Sequence, residues 1–138
     1  MINSYSVTSQ VLLPNEVVVF TIDKIKTGCG VTHSEGSASF SLSKPGIYAV
    51  TFNGTAATNG AAAGNIIIQL QENGTNVIGA LSTATSGSTT DLVSLSFTTL
   101  IRVRPSCCAV SNASTLTFVN TGVEATYSNV STVITRIC

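Results

Sequence analysis

His33 and Glu35 are the one pair of side chains in this 138-residue chain whose types and spacing could do acid–base chemistry. Two residues apart on an extended backbone, they share a face. Nucleophilic catalysis also needs a Ser or Cys delivered to the base and a third group to orient it, and glycoside hydrolysis usually needs two carboxylates. Glu16, Asp23, Glu35, Glu72, Asp91 and Glu124 stand isolated along the chain, and neither a Ser nor a Cys nucleophile is indicated near His33 in sequence. No catalytic residue is therefore predicted, and His33 is expected as an exposed loop residue. A hydrolase built on His33 is kept as an alternative.

Metal and cofactor chemistry fares no better. Cys29, Cys107, Cys108 and Cys138 lack the paired Cys-x-x-Cys spacing of a zinc site. They are free thiols, or Cys29 bridges to Cys107, Cys108 or Cys138; adjacent cysteines on a strand face opposite ways, so Cys107 and Cys108 do different jobs. Asp91 with Thr89 and Thr90 is too sparse an oxygen cluster for calcium. No Gly-rich stretch ends in the Lys-Ser/Thr of a phosphate loop. No metal and no cofactor are expected. Asn-x-Ser/Thr triplets stand at Asn53, Asn73, Asn112 and Asn129, which matter only on a eukaryotic secretory route.

Six basic and six acidic side chains cancel, which disfavours nucleic acid as a partner. Arg102, Arg104 and Arg136 are the one basic concentration. Charged residues are 9% of the chain, against about a quarter in ordinary domains. Much of the surface must then be neutral Ser, Thr and Asn, some of it covered by sister subunits. No apolar run reaches the length of a membrane span, and the first residues show no signal-peptide pattern.

The elements that hold these residues are strands. Over 93–103, Val93, Leu95, Phe97, Ile101 and Val103 alternate with Ser94, Ser96, Thr98 and Arg102, the period of a half-buried strand. Similar patterns place strands at 17–22 (Val18, Phe20 and Ile22 inward), 37–43, 47–55, 66–71, 76–84, around Leu116 and Phe118, and at 127–137. Lys44-Pro45-Gly46 reads as a type II turn and Asn73-Gly74 as a hairpin turn. Eight or so strands without a helix make a sandwich or barrel. Residues 1–14 are expected as a weakly patterned extension to a single domain at 15–138. The predicted core is Phe20, Phe40, Tyr48, Val50, Phe52, Ile66, Ile68, Leu70, Leu95, Phe97 and Phe118.

Lys-Pro-Gly-Ile-Tyr leading into Tyr48-x-Val50-x-Phe52, an Ile-x-Leu strand ending in Asn-Gly, a long alternating strand and a closing strand together resemble the C1q/TNF-like jelly-roll superfamily. The likeness is greatest to its bacterial branch, the C-terminal domains of collagen-like spore-surface glycoproteins and related phage structural proteins. The resemblance covers 15–138 and is specific at 46–52, where Gly46 and Tyr48 match the family positions. It implies an all-β jelly-roll sandwich of two antiparallel sheets and a tight homotrimer with one sheet packed around a three-fold axis. No Gly-x-y stalk precedes residue 15. Ile47, Ile67 and Leu100, large apolar groups on otherwise polar faces, are the expected subunit interface.

The expected function is that of a non-enzymatic, trimer-forming head of a surface filament or virion appendage, on the outside of a phage particle or a spore. It would bind host carbohydrate through the loops at 59–65 and 86–91, with Asn59, Asn65, Thr89 and Asp91 as hydrogen-bonding groups. A secreted receptor ligand resembling tumour necrosis factor is the other alternative.

Overall fold

The computed structural model describes residues 1–60, 63–105 and 113–138. Twelve strands are formed among them: β1 (Ile2–Ser6), β2 (Gln10–Leu12), β3 (Glu16–Val17), β4 (Ile22–Lys26), β5 (Val31–Thr32), β6 (Phe40–Leu42), β7 (Gly46–Thr58), β8 (Gly64–Glu72), β9 (Thr75–Ser86), β10 (Val93–Val103), β11 (Ser114–Asn120) and β12 (Ala125–Arg136). All pairings are antiparallel. One sheet runs β10-β7-β12-β1-β4, with β2 added to β12; the other runs β5-β6-β11-β8-β9, with β3 added to β11. We call them the first and second sheets. Chain-distant strands pair side by side and the connections cross between the sheets, which makes the domain a jelly-roll β-sandwich.

The period-two patterns explain most of this. Tyr48, Val50 and Phe52 of β7 point inward against Ile66, Ile68 and Leu70 of β8, and all six are fully buried. Phe118 centres the core. Its ring lies 5.2 Å from Phe52, 5.5 Å from Phe20, 6.0 Å from Phe97 and 6.2 Å from Phe40. Phe20, Phe40 and Leu95 are buried with it, while Phe97 is half-buried and packs on the core margin. At the hairpin, Asn73 (φ 52°) and Gly74 (φ 82°) take the left-handed conformations that an Asn-Gly turn supplies at least cost. Gly46 (φ 148°) starts β7 where a Cβ would strike the Cys138 carbonyl.

Two expectations are corrected. Residues 1–14 are no appendage: β1 lies between β12 and β4, and Ile2 is fully buried. The stretch 17–22 is not one strand either. It passes from β3 in the second sheet to β4 in the first, its backbone bonding in turn to Phe118, the Gln10 side chain and Ser37. Val18 and Phe20 go inward as expected, but the crossing leaves Ile22 on the outside.

A polar knot lies in the interior. Asn120 donates from Nδ2 to the carbonyls of Leu12 (3.0 Å) and Val123 (2.9 Å), and its Oδ1 accepts from the Tyr127 hydroxyl (3.0 Å). Burial pushes the Tyr127 phenol well above its ordinary range, so it stays a neutral donor. Tyr127→Phe strands the Asn120 oxygen in the core and should cost about 1–3 kcal/mol, read as a lower urea midpoint at unchanged m-value. A midpoint equal to the parent's would mean that the oxygen has another partner.

Candidate functional site

His33 is not a loop residue in solvent. It is buried, with its ring stacked on Phe40 (centroids 4.2 Å apart, 13° between planes). Nδ1 lies 2.6 Å from Asp23 Oδ1, and Nε2 lies 2.9 Å from the Ser37 carbonyl. Ser4 donates to the same Asp23 oxygen at 2.6 Å. Lys26 Nζ bonds the His33 carbonyl at 2.6 Å and sits 3.7 Å from Asp23. Glu35, the expected acid–base companion, is turned away: its Oε1 accepts from the Asp23 backbone N–H. Both imidazole nitrogens are therefore spent, and the serine hydroxyl is on the carboxylate rather than the imidazole. A nucleophile–base relay needs the hydroxyl on the ring nitrogen, so this cluster clamps the 33–37 loop to β1 and β4.

The outward face of the first sheet has a different character. Register places Tyr5, Ser131, Asn53 and Ser96 side by side across β1, β12, β7 and β10. Asn3, Val133, Thr51 and Thr98 form the next row, and Thr135, Ala49 and Leu100 the one after it. Ile22 and Ile25 of β4 extend the first two rows beyond Tyr5 and Asn3. Arg102, opposite Ile47, is the only charge on these outward positions of the four strands. A solvated sheet face usually alternates in charged residues; this one is Ser, Thr and Asn interrupted by aliphatic groups.

A groove of about 420 Å³ opens at the Tyr5 end of that face, lined by Tyr5, Val7, Asn53, Ser94, Ser96, Asn129 and Ser131 among others. A register shift between Tyr127 and Asn129 turns β12 there. Gly54 permits it, since a Cβ would come within 3.1 Å of the Asn129 carbonyl and the Phe52 ring. Among the described residues, the side chains of Asn53, Asn129 and Tyr5 make no hydrogen bond of their own.

Ile47 and Leu100 lie on this face, Leu100 being 60% exposed, whereas Ile67 is on the outward face of the second sheet. The three do not share one surface. At the edge beside β10, β9 carries a built protrusion. Buried Gln69 donates from Nε2 to the carbonyls of Leu70, Val77 and Ala80 (2.8, 2.9 and 3.2 Å), holding a bend at Gly79 (φ 83°) that leaves Ile78 99% exposed. Leu81 is exposed next to it.

The loop residues expected to bind sugar are occupied internally. Asn59 bonds Glu124 (2.5 Å) and Thr126 (3.1 Å), Asn65 accepts from Thr85 (2.8 Å), and Asp91 accepts from the Gly87 N–H (2.7 Å). Thr89 is exposed in the turn before β10. Cys29 and Cys138 are free and exposed; Cys107, Cys108 and Asn112 lie outside the described residues. Tyr5 and the Asn53–Asn129 pair were not singled out as binding groups from sequence, where those asparagines signal only as glycosylation triplets. No helix of the described residues is long and apolar enough to cross a membrane.

No protein-family model and no curated protein matches the sequence. Solved structures can be superposed on the chain. The vertex protein P5 of PRD1 superposes with a TM-score of 0.52 at 14% identity, over 95% of this chain and 93% of that one. The CBM35 module of Abf62 from Cellvibrio japonicus reaches 0.42 at 12% identity, over 97% and 95%. A CBM35 from Paenibacillus barcinonensis reaches 0.37 at 17% identity, over 98% of each chain. At 14% identity the likeness to P5 is one of fold.

Proposed function

We propose that this domain is a non-catalytic, C1q/TNF-like structural head that assembles as a homotrimer through the outward face of its first sheet, at the tip of a virion appendage or surface filament. The observation that carries it is the near-chargeless face across β10, β7, β12 and β1, with Arg102 alone at its margin. Surface charge keeps monomers apart; a face without it, studded with Leu100, Val133, Ile22 and Ile25, is cheap to desolvate. The β9–β10 edge, with Ile78 and Leu81 exposed, gives each copy an apolar ridge to set against the next copy's face. Such a head-to-tail contact closes into a ring when the rotation allows. The engaged nitrogens of His33 support the non-catalytic part. A vertex protein of the same fold, PRD1 P5, supports the virion setting.

Sedimentation equilibrium at several concentrations tests this. The expected particle has three times the 14.2 kDa chain mass, and a chain that stays monomeric throughout would end the proposal.

A second reading comes from the groove. One aromatic ring beside two unengaged carboxamides and several hydroxyls suits a neutral sugar, with stacking on Tyr5 and hydrogen bonds from Asn53 and Asn129. It competes with assembly for the same surface. Binding to a glycan array by a monomer, lost in Tyr5→Ala, would favour it over the trimer.

A further inference from the structure

We propose that Cys29 and Cys138 are a disulfide pair that ties the C-terminus to the second sheet within one chain. Both are free and exposed, and both flank the same turn, 43–46. On one side, Ser43 Oγ donates to the Cys29 carbonyl at 3.1 Å and the Ser43 N–H to the Gly30 carbonyl at 2.9 Å. On the other, the Ile47 N–H donates to the Cys138 carbonyl at 3.3 Å, and the Ile137 N–H to the Ile47 carbonyl at 2.8 Å. Arg136 spans the two sides. Its Nε and Nη2 bond the Pro45 carbonyl at 3.0 and 2.7 Å, and its Cδ lies 3.8 Å from the point a Gly30 Cβ would occupy.

Neither cysteine is inside a strand. Cys29 stands between Gly28 (φ 77°) and Gly30, and Cys138 is two residues past the end of β12. Closing the bond takes backbone adjustment at those points, which lie outside the strands. The bond would join β12 of the first sheet to the loop before β5 of the second, at an end where Tyr48 already reaches across to the carbonyls of Lys44 (2.7 Å) and Gly30 (3.3 Å).

The surroundings also select the attacking group. Lys44 beside it, with the charge of Arg136, holds the Cys29 thiol below its ordinary range. The Cys29 thiolate attacks one sulfur of a small disulfide such as oxidised glutathione, forming a mixed disulfide and expelling one glutathione thiolate. Cys138 loses its proton to solvent and displaces the second. Two protein thiols are oxidised and one small disulfide is reduced to two thiols.

This proposal is independent of the trimer. The full chain is incubated with oxidised glutathione, its remaining thiols are alkylated, and unreduced peptides are mapped by mass spectrometry. The expected product is a Cys29–Cys138 peptide pair, two hydrogens lighter than its parts, from chains that run as monomers on a denaturing non-reducing gel. Oxidised parent should melt several degrees above its reduced form, a difference absent in Cys138→Ser. Cys29 joined to Cys107 or Cys108, a bond between chains, Cys29 and Cys138 both alkylated, or a melting shift that survives Cys138→Ser would each overturn it.

Discussion

Phe118→Ala should lose about 3–5 kcal/mol of folding free energy, the usual cost of removing a ring from a packed core. A domain of this size holds about 5–15 kcal/mol in all, so the variant is expected to populate unfolded chains measurably at 37 °C. The position earns the large effect. Phe118 lies on β11, in the middle of the second sheet, and its ring meets Phe20 and Phe40 on one side and Phe52 and Phe97 on the other. Among the described residues it is the only ring in contact with all four. Its removal leaves a cavity that neighbours in two sheets must relax to fill, and close packing allows little relaxation. Phe97→Ala is the internal comparison. That ring is half-buried on an edge strand, and its loss should cost clearly less. Urea denaturation of both variants decides the matter, and equal losses would show that the core is not centred on Phe118.

The parts of this molecule legible in the sequence are those where alternation is local. The run at 93–103 forms β10 over the same residues, and Tyr48, Val50 and Phe52 point inward from β7. Asn73-Gly74 turns where its chemistry says it must, whereas Lys44-Pro45-Gly46 makes a bend rather than a type II turn, because Gly46 at φ 148° already belongs to β7. What was illegible depends on distant partners. β1 hides because its inward positions after Ile2 are Ser4 and Ser6, small polar groups that break the apolar signal yet are buried beneath Asp23 and Thr21. His33 stands in a polar stretch of Ser, Glu and Gly. Its burial follows from Asp23 on β4 and the ring of Phe40, and no periodicity announces either. The outward face of the first sheet is likewise assembled from four strands far apart in the chain. Leu100 and Ile47 could be read as misplaced hydrophobes, but Ile67 belongs to the other sheet, and only the register separates them.

Val133→Lys is expected to convert the proposed trimer to a monomer without unfolding it. Val133 sits near the centre of the face, between Asn3 and Thr51, with Thr98 one strand further on. In a single chain the new ammonium is solvated, and a substitution on an exposed sheet face changes stability by about 0.5 kcal/mol or less. In the assembly it would be desolvated against a face that offers no carboxylate, and an unpaired buried charge costs about 3–5 kcal/mol or more. The particle mass should fall to that of one 14.2 kDa chain, with the far-ultraviolet circular dichroism unchanged. Thr115→Lys supplies the control. It places the same charge on an exposed position of β11 in the opposite sheet, and it should leave the trimer intact. If Val133→Lys remains trimeric, or if the two variants dissociate alike, the assembly does not use the first sheet's outward face.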